Sequence, residues 1–174
     1  EKGMSAEDLL SEEAEKVPAG SDGLMTVLDW LAPVDARYKK GIMIGFDGRH
    51  TRGHIYRSIL EAVAMTIKGH TEDMVNEVGV TLDKIIITGG GSNSDLFMQI
   101  FADVFNLPAV RNVVNGAAGL GSAICAAVAT DVYGSFEEAV EGMVKIQDTF
   151  VPNPENVELY KKMIPIYKDI TVHT

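Results

Sequence analysis

Lys84-Ile85-Ile86-Ile87-Thr88-Gly89-Gly90-Gly91-Ser92-Asn93-Ser94 is the stretch that decides the fold of this chain. Three successive isoleucines predict a strand. Their unbroken apolar run predicts burial on both faces, hence a central place in a sheet. The glycines end it, and a helix is expected from about Ser94 to Phe105. Phe97, Ile100, Phe101 and Val104 there fall at i, i+3, i+4 and i+7. Asn106 reads as the C-cap, and Pro108 blocks continuation. Glycine lets a ligand approach the backbone with no Cβ in the way. The helix start offers unpaired N–H groups and the positive end of a dipole, suited to a phosphate or a polar nucleotide group. Gly89, Gly90, Gly91, Ser92 and Ser94 are therefore the candidate binding residues. The same turn also serves purely structural ends, and both readings stand at this point.

Working outward, Gly41 to Phe46 predicts a short strand, followed by the polar turn Asp47 to His50. A long helix is expected from about Thr51 to Val78, with Tyr56, Ile59, Leu60, Val63, Ile67, Met74 and Val78 near a 3.6-residue period and Gly79 as its stop. Upstream, residues 1–17 read as an acidic helix with Ser5 and Asp8 as a capping pair. Pro18 to Gly23 is a turn, Leu24 to Trp30 a candidate strand, and residues 31–40 a loop. Downstream, Ala109 to Val114 predicts a strand. Residues 116–130, crowded with glycine and alanine, predict a helix built for close packing against a neighbour. Ser135 and Glu138 open a short helix. Asn153-Pro154 opens a last one, which Pro165 should kink or end. Strands alternating with helices imply an α/β fold, a sheet with helices packed on it.

Other chemistry fits less well. A P-loop needs glycine, four residues, then Gly-Lys-Ser/Thr, and no such run exists. A dinucleotide fingerprint needs glycine where Ser94 stands. His50 and His54 are four apart, but the zincin pattern requires Glu where Thr51 stands, and zinc would need a third ligand. Turn and cap hydrogen bonding is their plainer role. Cys125, in an alanine-rich stretch, reads as a small buried residue. Trp30, Tyr56 and the methionines read as core, and the acidic residues 7–15 as a solvated face.

The 174 residues carry a net charge of -10, with 46% hydrophobic and 23% charged residues. This is globular composition, long enough for a core. The charge repels phosphate backbones and anionic surfaces, which disfavours nucleic acid and membrane partners. No apolar run reaches transmembrane length. The start Glu1-Lys2-Gly3-Met4 has no signal-peptide pattern. One cysteine cannot form an internal disulfide. Together these point to a cytoplasmic protein. The start without Met suggests a piece of a longer chain.

Three segments together resemble the FGGY carbohydrate kinases. They are Gly41 to Phe46 with His54 to Ala64, Ile86 to Val104, and Leu107 to Val110 with Gly116 to Ala123. The resemblance spans about residues 18–170. It implies a ribonuclease H-like (actin-like ATPase) lobe, partial, with a mixed sheet flanked by helices. Residues 1–174 would be the C-terminal, adenosine-binding lobe, 1–40 a divergent entry segment, and the N-terminal lobe absent. The family moves the terminal phosphoryl of ATP to a sugar or polyol hydroxyl with Mg2+. The resemblance makes Gly89, Gly90 and Gly91 the backbone lining of the adenosine site and Ser94 the adenine contact, with Ser92 and Asn93 weaker candidates. The helix from Gly116 corresponds to a hinge-side helix whose small residues let lobes close. The family's phosphate loops and catalytic Asp match no segment here, so the chain alone is expected not to turn over. Leu28 to Ala36 departs from the Gly-Glu-Arg-Thr-Pro-like segment of many relatives. A non-catalytic nucleotide-binding or regulatory module of the same superfamily is the alternative. A homodimer is one assembly left open.

Overall fold

The computed structural model describes residues 3, 5–30, 32, 34 and 36–172. Glu1, Lys2 and Met4 of the expected acidic helix, and Leu31, Pro33 and Asp35 of the expected loop, lie outside the described residues. Helix α1 is Ala6–Ala14, and the Ser5 side chain accepts the Asp8 N–H at 3.1 Å. Strand β1 (Met25–Val27) pairs antiparallel with β2 (Ile42–Ile44), Met25 opposite Ile44. Helix α2 (Arg52–Val78) ends at Gly79, which takes the left-handed conformation at φ 72°. Then follow β3 (Ile85–Ile87), α3 (Asp95–Phe105), β4 (Ala109–Asn112), α4 (Ala117–Ala129), α5 (Phe136–Met143), β5 (Ile146–Phe150) and α6 (Pro154–Val172). No helix among the described residues is long and apolar enough to cross a membrane.

The second sheet runs β3-β4-β5, with β3 parallel and β5 antiparallel to β4. The mixed sheet flanked by helices is as expected, but its order corrects the central place given to the isoleucine strand. β3 is an edge, and Ile86 is 54% exposed. The middle strand is β4, with Ala109, Val110 and Arg111 all buried. Alternate residues of a strand face opposite sides, so Ile85 and Ile87 pack against the core while Ile86 points away. β5 was not anticipated, because Ile146-Gln147-Asp148-Thr149-Phe150 has no apolar run.

The core lies among α2, α3, α6, β1 and β4. Met98, Ile100, Phe101, Ala102, Val104 and Phe105 of α3 are buried in it. The Phe97 ring meets Phe101 at a tilt, centroids 4.7 Å apart, and Phe101 stacks on Phe105 at 5.9 Å. Asp103 is also buried. Its carboxylate accepts the Asn153 N–H and the Asn156 amide, each at 2.7 Å, which seats the start of α6 on α3.

The periodic stripe of α2 is only half inside. Ile67, Met74 and Val78 are exposed, whereas Arg57, Ser58 and Glu61 are buried. Glu61 accepts four hydrogen bonds: Gly20 N–H at 2.8 Å, Ser21 Oγ at 2.9 Å, Arg57 Nε at 2.9 Å and Tyr160 Oη at 2.8 Å. Arg57 Nη1 donates to the Val17 carbonyl at 2.9 Å and to that of Ala14 at 3.3 Å. A charged pair survives burial only with such satisfaction. This one ties the end of α1 to α2, and through Tyr160 to α6. Burial beside the Glu61 charge pushes the Tyr160 phenol well above its usual range.

Three other expectations are corrected, and that for Pro165 is narrowed. Cys125 is exposed. Trp30 (57%) and Met74 are exposed too, Trp30 lying over Gly41 rather than in the core. Pro165 does not end α6, which continues to Val172. The small-residue helix α4 packs chiefly on α5, and no atom lies within 4 Å of where a Cβ would stand on Gly116, Gly119 or Gly121, so its glycines are not used for close packing among the described residues.

Candidate functional site

The glycine stretch leaves β3 and makes one 3-10 turn, Gly90–Asn93, before α3 begins. Gly89 has φ 85° and ψ -173°, a conformation essentially closed to L side chains. Its N–H donates to the Asn115 carbonyl at 2.8 Å. Ser92 closes the turn, its N–H donating to Gly89 O at 3.1 Å and its Oγ to the same oxygen at 2.7 Å. Ser94 is the N-cap of α3, its Oγ accepting the Phe97 N–H at 3.3 Å. Gly91 lies under Phe97, so a Cβ there would come 2.8 Å from the ring. The first N–H groups of such a turn, those of Gly90 and Gly91, find no partner inside it.

Arg111 of the central strand holds the turn from below. Its Nη1 donates to the Ser92 carbonyl at 2.9 Å, its Nε to Asp148 Oδ1 at 2.9 Å, and its Nη2 lies 2.9 Å from Asp95. The Asp148 carboxyl is held below the usual carboxylate range, chiefly by the Arg111 hydrogen bond. Asn115 Nδ2 donates to Asn93 Oδ1 at 2.7 Å. The turn is thus fixed from three sides before any ligand arrives.

The turn forms one wall of a 620 Å3 cleft, through Gly90, Gly91, Asn93 and Ser94, with Asp95 and Phe97 at its end. The facing wall is α1, through Glu7, Asp8, Ser11 and Glu12, with Glu15 just past its end. Tyr56 and Leu60 of α2 make an apolar floor. Gly90, Gly91 and Ser94 are therefore brought together on the cleft. Gly89 and Ser92 are not. Gly89 anchors the turn to Asn115, and Ser92 is fully buried with its hydroxyl spent on the backbone.

Sequence reasoning missed Arg111, Asn115 and the acidic wall. Nothing in a local pattern links α1 to residues eighty positions away. The acidic face of α1 is solvated as expected, but on a cleft.

His50 and His54 serve the start of α2. His50 Nδ1 accepts the Asp47 N–H at 2.8 Å. His54 Nδ1 accepts the Thr51 N–H at 3.2 Å, and its Nε2 lies 3.1 Å from Asp22. Among the described residues no group of three or more His, Cys, Asp or Glu could hold a metal ion.

Residues 6–130 match the FGGY family of carbohydrate kinases, C-terminal domain. The chain belongs to this family. This FGGY C-terminal domain is 54% identical over 172 residues to the uncharacterized sugar kinase YgcE of Escherichia coli (strain K12), covering 98% of the chain and 35% of that protein. It is 30% identical over 163 residues to the xylulose kinase of Bacillus subtilis (strain 168), covering 92% of the chain and 32% of that protein. Its backbone superposes on the crystal structure of xylulose kinase from Rhodospirillum rubrum with a TM-score of 0.83 at 28% identity, over 99% of the chain and 35% of that structure. The FGGY domain thus spans about a third of the length of these relatives. Its fold is the expected lobe of the actin-like ATPase type.

Proposed function

We propose that this domain holds the nucleoside end of ATP in a carbohydrate kinase that transfers the terminal phosphoryl to a sugar or polyol hydroxyl. The observation that carries the reading is the cleft: a glycine turn at a helix start, open at Gly90, facing α1 across an apolar floor. The similarity to the sugar kinase YgcE and to xylulose kinase supports the reaction class.

The parts of the cleft suit the parts of a nucleoside. Tyr56 and Leu60 give a planar base an apolar floor. The Gly90 and Gly91 amides offer donors, and no atom within 4 Å occupies the place of a Gly90 Cβ. Asn93 and Ser94 add polar contacts. Ribose hydroxyls are donors, and the carboxylates of α1 can accept them. Those same carboxylates repel a polyphosphate, and among the described residues no Lys or Arg lines the cleft. The phosphates therefore leave the cleft away from α1, toward the reacting hydroxyl. The domain binds and orients, and no residue of it is assigned the proton transfer. Phosphoryl transfer rests on such positioning together with charge stabilisation.

Mg2+ would neutralise phosphate charge, but the described residues present no metal cluster for it. The reading extends to a cytoplasmic location. It is neutral between a monomer and a homodimer, and nucleic acid is not among its partners.

Calorimetric titration of the chain with adenosine and ATP, beside Gly90→Val, tests it. The substitution meets open space, so the fold survives, while the side chain fills the approach to the turn. Loss of adenosine binding supports the reading. Equal binding by parent and variant overturns it.

A further inference from the structure

Asn115 and Gly116 form the single Asn-Gly pair of the chain. They lie between β4 and α4, on the segment that latches the glycine turn. The Asn115 carbonyl accepts the Gly89 N–H at 2.8 Å and the Ala117 N–H at 3.1 Å. Its side-chain Nδ2 donates to Asn93 Oδ1 at 2.7 Å. Gly116 is exposed, with nothing within 4 Å of where a Cβ would stand. Among the described residues its N–H donates no hydrogen bond.

We propose that Asn115 is a site of spontaneous deamidation, and that its conversion to isoaspartate releases the latch on the glycine turn. Asparagine is a thermolabile side chain, and a following glycine leaves the attacking nitrogen unhindered. The Gly116 amide nitrogen, having given its proton to solvent base, attacks Asn115 Cγ. The Cγ–Nδ2 bond breaks and the nitrogen leaves as ammonia, closing a five-membered succinimide. Water then adds to one of the two ring carbonyls. Addition at Cγ reopens the ring to aspartate, and addition at the main-chain carbon gives isoaspartate. No electrons are exchanged, and water is the sole co-reactant.

The two products differ in consequence. Aspartate keeps the main chain, so the Gly89 bond stays. Asn93 can turn its amide to donate to the new carboxylate. Isoaspartate routes the main chain through the former side chain and adds a methylene to it. The carbonyl that held Gly89 and Ala117 is then displaced, and a free carboxylate takes its place.

The test is to age the folded chain at mildly acidic and mildly alkaline pH, and to follow residue 115 by peptide mapping with an isoaspartate-specific methyltransferase. Isoaspartate should accumulate at 115, faster at the higher pH because Gly116 must lose a proton. Gly116→Ala, which fits the open space, should slow it several-fold. Hydrogen exchange then reads the latch: the Gly89 amide loses protection in the isoaspartyl form and keeps it in Asn115→Asp. Modification of the unfolded chain but not the folded one overturns the proposal, as does an isoaspartyl form with Gly89 still protected. Adenosine titration of the aged protein separates this from the nucleotide reading. Unchanged binding with Gly89 deprotected leaves the deamidation site standing and removes the turn from the nucleoside site.

Discussion

The Arg111 guanidinium donates from Nη1 to the main-chain carbonyl of Ser92 at 2.9 Å, across nineteen residues of chain. One side chain of the central strand thereby fixes the turn that walls the cleft, while its other nitrogens hold Asp148 on β5 and Asp95 at the start of α3. The planar fork of arginine makes this three-way link, and a lysine point charge does not reproduce it.

Arg111→Lys should therefore lower stability by about 1.5–3 kcal/mol, the usual worth of hydrogen bonds to charged groups. Urea unfolding measures this. Hydrogen exchange at the 90–94 turn should accelerate along with it.

The pH dependence follows from Asp148, whose carboxyl Arg111 holds below the usual range. A lowered folded pKa contributes stability that is present above the unfolded value of about 3.9 and lost as pH falls through the lower folded one. Thermal melts of the parent should show this loss below about pH 4. In Arg111→Met the acid limb should be shallower. The effect is modest, since the Asp148 side chain is 38% exposed.

Glu61 accepts hydrogen bonds from three separate segments. Glu61→Ala leaves Arg57 buried without its carboxylate and should cost roughly 3–5 kcal/mol. Tyr160→Phe removes a single donor and should cost about 1 kcal/mol. Equal losses in chemical denaturation would contradict the assignment of Glu61 as the hub.

At the turn, two adjacent glycines should respond differently to the same methyl group. Gly89→Ala must hold φ 85° with a side chain, at a cost of about 1–3 kcal/mol. Gly90→Ala meets open space and should leave the melting temperature almost unchanged. Differential scanning calorimetry on the pair decides it.

Much of the architecture was legible locally. Ser5 and Ser135 were identifiable as caps, and each side chain bonds the N–H three residues on; Ser94, expected only as the approximate start of its helix, caps α3 in the same way. Asn106 and Gly79 stop their helices in the left-handed conformation, as their residue types suggest. The family resemblance was legible too, since it rests on contiguous motifs. The candidate site was half legible. Gly90, Gly91 and Ser94 stand on the cleft, while Ser92 proved to be a buried brace and Gly89 an anchor.

The sequence by itself determined where most helices start and stop, that strands alternate with helices from β2 onward, and that a glycine turn opens α3. These depend on capping, periodicity and backbone freedom, which act over a few residues. Only the tertiary structure decided that Ile86 lies on an edge strand, that Pro165 sits inside a helix, that α1 faces the turn, and that Arg111 and Asn115 hold it. Each of these is set by which distant segment packs alongside. Such pairings are chosen by the burial and polar satisfaction of the whole core, and no local pattern records them.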